Sequence, residues 1–288
     1  MRAQQDKLAK LYNLPEGTGV FLMPSGSDAE YIPLLIAKTL NPGKPVTTVV
    51  TCNEEVGSGT LDAARGKLFS AVEPIIGFTD GTKKAGDAVE GLADNIQYVT
   101  VNARHREGDV LLAEEKIMET LSICENEDSV PIVHTVLGSK TGIHEDFNTN
   151  ISERVNKLGG VVVVDACQGR FLHSQLHKAI DNGACVLITG SKFYRAPPFC
   201  GAVFIAPPIM EQLMQDSSFA VPRGLNTFFG KSEVPTQLQA WKDSVHESVN
   251  EGLALRWQAG LAEMEPTLAI PEDEREIYLD QWRMNLEQ

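Results

Sequence analysis

Two apolar runs of strand length decide what kind of sheet this chain can build. Val161-Val162-Val163-Val164 ends in Asp165, and Cys185-Val186-Leu187-Ile188-Thr189 passes through Gly190-Ser191 into Lys192. A strand that is apolar at every position is buried on both faces, as in a parallel sheet covered by helices. An ionisable group leaving such a strand stands at the open edge of the sheet, where α/β folds collect their ligands.

Further runs extend the pattern. Strands are expected at Val20 to Met23, Val46 to Cys52, Ala71 to Ile76, Gln97 to Val101, Pro131 to Leu137 and Gly201 to Ile205. Helices are expected between them at Asp28 to Leu40, Asp87 to Asn95, Asp109 to Glu125, Phe147 to Leu158 and Phe171 to Asn182. Ile151, Val155 and Leu158 recur with the spacing of a one-sided apolar stripe. This alternation predicts an α/β fold, a mostly parallel central sheet with helices on both faces. After Ile205 the pattern turns helical, from Pro207 to Gln215 and from Pro235 to Leu261 with a break near Gly252, followed by an acidic tail from Pro266. A boundary near Ser232 divides a large domain (1–232) from a partial small one (233–288).

Composition narrows the function classes. With 288 residues, 42% of them hydrophobic, the chain can bury a sizeable core. A net charge of −14 without a Lys/Arg cluster argues against nucleic acid as a partner. Cys52, Cys124, Cys167, Cys185 and Cys200 lie far apart and mostly in apolar surroundings, so they read as reduced buried thiols of a cytoplasmic protein. No apolar run approaches the roughly 20 residues that span a bilayer, and Met1-Arg2-Ala3-Gln4-Gln5-Asp6 is not a secretory leader.

Three segments could carry chemistry. In Pro24-Ser25-Gly26-Ser27-Asp28-Ala29-Glu30, between a strand and a helix, Ser27 and Glu30 match a capping box and Gly26 permits close backbone approach. Such a turn suits a phosphate, or is an ordinary cap. Asp165 alone would equally cap the next helix, and Lys192 alone would be a solvated surface lysine. Their surroundings single them out: Asp165 opens Asp-Ala-Cys-Gln with Gln168, and Lys192 follows Thr189 and Ser191 and precedes Ala196-Pro197-Pro198.

Those words in that order resemble the fold-type I pyridoxal-phosphate enzymes, in particular the class V aminotransferase group that includes alanine-glyoxylate aminotransferases and cysteine desulfurases. The resemblance runs from about Leu11 to Trp257. It implies that pyridoxal 5'-phosphate is the cofactor, that Lys192 forms the Schiff base with it, and that Asp165 pairs with its ring nitrogen. It implies further that Gln168 donates to the phenolic oxygen, and that Ser25, Gly26 and Ser27, helped by Thr189 or Ser191, hold the phosphate. Ser139 and Thr141 are candidates for a small polar residue near the ring, with His134 read as a buried structural histidine. Arg223-Gly224-Leu225-Asn226-Thr227 resembles the segment that reaches a neighbouring subunit's cofactor, which would place Thr227 across a homodimer; a surface loop is the alternative.

The chain also departs from the pattern. Where relatives carry a ring-stacking aromatic or histidine after the second strand, it reads Asn53-Glu54-Glu55-Val56-Gly57. It looks shortened at both ends, and none of Arg256, Arg275 or Arg283 sits in a motif that assigns a substrate-carboxylate arginine. The expectation is an aminotransferase acting on an amino acid and a 2-oxo acid. A lyase or desulfurase is the alternative, although Cys200 lies in an apolar strand start. A truncated, non-catalytic cofactor-binding or dimerisation module and an unrelated nucleotide-binding α/β protein are the other readings.

Overall fold

The computed structural model describes residues 1–71, 83–145, 148–216 and 219–286, apart from the side chains of Thr227, Arg283 and Leu286. Among them, one sheet holds β1 (Gly19–Met23), β2 (Val46–Val50), β3 (Ile96–Thr100), β4 (Val130–Val136), β5 (Val161–Asp165), β6 (Cys185–Thr189) and β7 (Gly201–Ile205). The spatial order is β1-β7-β6-β5-β4-β2-β3. Pairings from β3 through β2, β4 and β5 to β6 are parallel, and β7 is antiparallel to both β6 and β1. Only β7 therefore runs against the rest, and β1 points the same way as β6.

The helices are α1 (Arg2–Leu11), α2 (Gly26–Ala29), α3 (Tyr31–Leu40), α4 (Thr60–Ala63), α5 (Glu114–Glu127), α6 (Thr149–Lys157), α7 (His173–Asp181), α8 (Pro207–Gln215), α9 (Gln239–Asp243), α10 (Glu251–Leu268) and α11 (Glu272–Leu286). Period-2 alternation splits the strand side chains between two cores. Val162 and Val164 of β5 face one, with Ile117, Val155, Leu176 and Trp257 from the helices. Val161 and Val163 face the other, with Leu35, Met210 and Trp241. Fully burying each such aliphatic side chain stabilises by about 2 kcal/mol, which is what holds the helices to the sheet.

β5, β6 and β7 have the bounds expected from sequence, because their apolar runs are closed by Asp165, by Gly190 and by Pro207 at the start of the next helix. Other expectations are corrected. The segment from Asp87 to Asn95 forms turns, not a helix: Gly86 and Gly91 hold φ of 88° and 79°, and a Cβ at Gly91 would meet Pro222. The fifth helix starts at Glu114 rather than Asp109, since Arg104 and Val110 bridge across a turn at Gly108. The break expected near Gly252 is present, where Asn250 caps α10 by accepting from the Leu253 N–H at 2.9 Å, but the helical stretch before it is only the short α9. Helix α1 was not foreseen; its Leu8 and the following Tyr12 are fully buried. Most of the strand expected at Ala71 to Ile76 lies outside the described residues.

Candidate active site

Because β1, β2, β4, β5 and β6 point the same way, the segments after them meet at one edge of the sheet. There they enclose a cavity of about 260 Å³. Its wall is built from the turn after β1 (Ser25, Gly26, Ser27), the loop after β2 (Glu55, Val56), the loop after β4 (Ser139, Lys140), the turn after β5 (Asp165, Cys167, Gln168) and the loop after β6 (Thr189, Ser191, Lys192). Eight of the eleven expected site residues thus lie together, as Asp165, Lys192, Gln168, Ser25, Gly26, Ser27, Thr189 and Ser191, and Ser139 makes a ninth. Thr141 does not line the cavity, and the Thr227 side chain lies outside those described.

Local bonding sets each group. Asp165 is 8% exposed, accepts from the Cys167 N–H at 2.9 Å, and has no lysine, arginine or histidine paired with it among the described residues. Thr189 donates to the Cys167 carbonyl at 2.7 Å, tying the strand that leads to Lys192 to the turn that follows Asp165. The lysine loop is a closed bend: Gly190 N–H donates to Cys200, Ala196 to Gly190, and Arg195 to the Lys192 carbonyl. Lys192 itself is exposed at the cavity rim.

In the turn after β1 the helix cap is Ser25, not Ser27. Its hydroxyl accepts from the Asp28 N–H at 3.1 Å and donates to the Asp28 carboxylate at 2.5 Å. Burial pushes Asp28 up to about 6, against the hydrogen bonds from Ser25. Gly26 packs so closely that a Cβ there would lie 2.8 Å from Cys167 Sγ and 3.0 Å from Thr189 Cγ2.

The sequence reading missed Glu55 and underrated Glu30. Glu55 stands on the loop where an aromatic was looked for. It accepts from the hydroxyls of Ser139 and Thr141 and from the Thr141 N–H, and Arg104 Nε lies 3.3 Å away. Burial favours its neutral form, but those donors and Arg104 outweigh it and hold the carboxyl below its usual range. Glu30, 1% exposed, lies with Oε2 3.0 Å from Nδ1 of the buried His134. Burial raises Glu30, His134 offsets part of this, and Asp165 pushes it further up. The signal for both acids was their place just past a strand end. The aromatic in the cavity wall is Phe199, from the lysine loop.

The arginines fall elsewhere. Arg256 Nε donates to the Phe199 carbonyl at 2.9 Å, Arg275 lies 3.7 Å from Glu272, and the Arg283 side chain is outside those described. No described arginine lines the cavity. Among the described residues no cluster of His, Cys, Asp or Glu is arranged to hold a metal, and no helix is long and apolar enough to cross a membrane.

No protein-family model matches the chain, and no curated protein matches it. Solved structures do match in fold. The 4-hydroxyphenylacetaldehyde synthase of Rhodiola rosea superposes with a TM-score of 0.55 at 14% identity, over 91% of this chain and 53% of that one. The TDC of Oryza sativa, solved with PLP, gives 0.54 at 13% identity, over 93% and 50%. An apo cysteine desulfurase of Thermococcus onnurineus gives 0.50 at 15% identity, over 99% and 61%. The chain therefore spans less than two thirds of the length of each of these structures, and shares with them a mostly parallel α/β fold.

Proposed function

We propose that the cavity holds pyridoxal 5'-phosphate and that the protein uses it on an amino acid, passing the amino group to a 2-oxo acid. One observation carries the reading: Asp165, a buried acid without a cationic partner among the described residues, shares a cavity with a lysine amine, Lys192, and with the open-backboned turn Ser25–Ser27. That is an acceptor for a ring N–H, an amine for an aldehyde and a cradle for a phosphate. When bound, the cofactor supplies an electron sink for charge developing at the substrate carbon.

The chain's own residues then have separate tasks. Asp165 would accept the N–H of the ring nitrogen. Lys192, at the rim of the cavity, holds the cofactor and afterwards moves the substrate proton. Gln168 is placed to donate to the ring oxygen, and Gly26 and Ser27 to present backbone N–H groups to the phosphate. Arg223–Thr227 forms a 3₁₀ turn docked on Glu90 through the Gly224 N–H, and in a homodimer it would be offered to the partner's cavity.

The lyase and desulfurase alternatives share the cofactor and differ in the fate of the substrate. Cys200 gives the desulfurase no support: it is fully buried, its thiol donates to the Pro197 carbonyl, and burial raises it. A second reading, a cofactor-binding module without turnover, is favoured by the absence of any described arginine from the cavity wall.

The test is spectroscopic. Protein loaded with pyridoxal phosphate should turn yellow, borohydride should fix the label to the peptide carrying Lys192, and a panel of amino acids should change the spectrum. A colourless protein or a label elsewhere sinks the cofactor assignment. Yellow protein that ignores every amino acid favours the module.

A further inference from the structure

Three carboxylates line the cavity, and two of them face a partner from within the protein. Glu55 has Arg104 and the donors of Ser139 and Thr141. Glu30 has His134, with Nδ1 3.0 Å from Oε2 and both side chains nearly inaccessible. Asp165 has no cationic group paired with it among the described residues.

The strand register explains why the Glu30 pair bears on Asp165. On β4, His134 lies opposite Val163, and Val136 lies opposite Asp165, so His134 and Asp165 share one face of the sheet. Glu30 comes down onto that face from the junction of α2 and α3, immediately after the turn Ser25–Ser27. The groups that face Glu30 are His134 from β4, Asp165 from the end of β5, the Thr60 hydroxyl from α4, and Cys167 from the turn after β5. Without the imidazole, Glu30 would take up a proton in this poorly hydrated site, and beside Asp165 that proton would compete for the acceptor Asp165 offers a ligand.

We propose that His134 and Glu30 are positioning residues for Asp165: the imidazole faces the Glu30 carboxylate, leaving Asp165, among the described acids of the cavity floor, free to serve a ligand's cation. This rests on the reading of Asp165 as the partner of the cofactor ring nitrogen. A buried histidine that only filled space would need no acid at its Nδ1, and a helix cap at Glu30 would need no imidazole.

The experiment compares wild type with His134→Leu, His134→Gln, Glu30→Gln and the double variant Glu30→Gln/His134→Leu. The first readout is the dissociation constant for pyridoxal phosphate, from absorbance titration of apoprotein at neutral pH. In His134→Leu the protonated Glu30, no longer held by the imidazole, competes for the Asp165 acceptor, and binding should weaken about tenfold, the equivalent of one pK unit. Adding Glu30→Gln should restore it to within a few-fold, and His134→Gln, which keeps a donor, should resemble wild type. A double variant as weak as His134→Leu, or a His134→Leu protein that binds normally, overturns the proposal.

The second readout needs no cofactor. Without His134, Glu30 should hold its proton to still higher pH in the folded protein. A carboxyl raised on folding loses stability as pH climbs from its unfolded to its folded value. The melting temperature of apo His134→Leu should therefore fall more than that of wild type between pH 5 and 8, and Glu30→Gln should abolish the extra fall. Equal profiles for His134→Leu and the double variant overturn the pairing. If wild type binds no pyridoxal phosphate, the cofactor reading fails, while the apoprotein profiles still decide the Glu30–His134 pair.

Discussion

Thr189 Oγ1 lies 2.7 Å from the Cys167 carbonyl oxygen, and this bond extends the β5–β6 pairing by tying the end of the strand that leads to Lys192 to the turn that follows Asp165. Thr189→Val keeps the shape but leaves that carbonyl without its donor, at a cost of about 1 to 2 kcal/mol. Urea melts should show the loss, Thr189→Ser should recover most of it, and pyridoxal phosphate should bind more weakly to the valine variant because the turn that carries Gln168 is no longer tied to the strand end before Lys192.

Gly26 is needed for space rather than for backbone conformation. Alanine there would press on Cys167 Sγ and Thr189 Cγ2, so the turn must shift, at roughly 1 to 3 kcal/mol. Cofactor affinity should fall with it. Cys167→Ala removes the nearer obstacle, so the double variant Gly26→Ala/Cys167→Ala should bind better than Gly26→Ala alone; a double variant that binds worse would show that the sulfur is not the obstruction.

Asp28 predicts a pH dependence. Its carboxyl rises from 3.8 to about 6 on folding, so the folded state holds a proton the unfolded state has lost. Stability should decline as pH rises between those values and level off above the higher one. Asp28→Asn removes that penalty, and its melting temperature relative to wild type should climb through the same interval and then stay flat. A constant difference across the range would contradict the burial of this acid.

Glu55 works with the opposite sign. Its carboxyl is depressed by Ser139, Thr141 and Arg104, so it contributes stability above the ordinary carboxylate range that is lost as pH falls through the folded value. Glu55→Gln should cost about 1 to 2 kcal/mol at neutral pH. The gap to wild type should narrow in acid, as followed by thermal melts from pH 7 down to 3.

Much of the frame was legible because its signals are local. β5 and β6 announce themselves as uninterrupted apolar runs, and Asp165 and Lys192 stand at or just past their ends. The compensation of charge was not legible, since it depends on loops that meet only when the sheet is built. Nothing near Glu55 in sequence says that Ser139 and Thr141, on the loop after β4, will point their hydroxyls at it. His134 read as a satisfied core histidine because its partner, Glu30, comes from the other side of the sheet order. The helix expected at Asp87 to Asn95 fails for a local reason: Gly86 before it and Gly91 within it both take positive φ.

The reversed course of β7 governs the order in which the molecule can be assembled. Gly19 of β1 pairs with Ile205 of β7, so the first strand has no neighbour until the last has emerged. The hairpin of β6 and β7 closes locally, whereas the segment Ser25–Ser27 must wait for a contact spanning most of the chain. During biosynthesis the lysine end of the cavity can form from residues made close together in time, and the phosphate end is completed last. A ribosome stalled before Gly201 would display β1 as an unpaired apolar strand, a substrate for chaperones rather than for a cofactor.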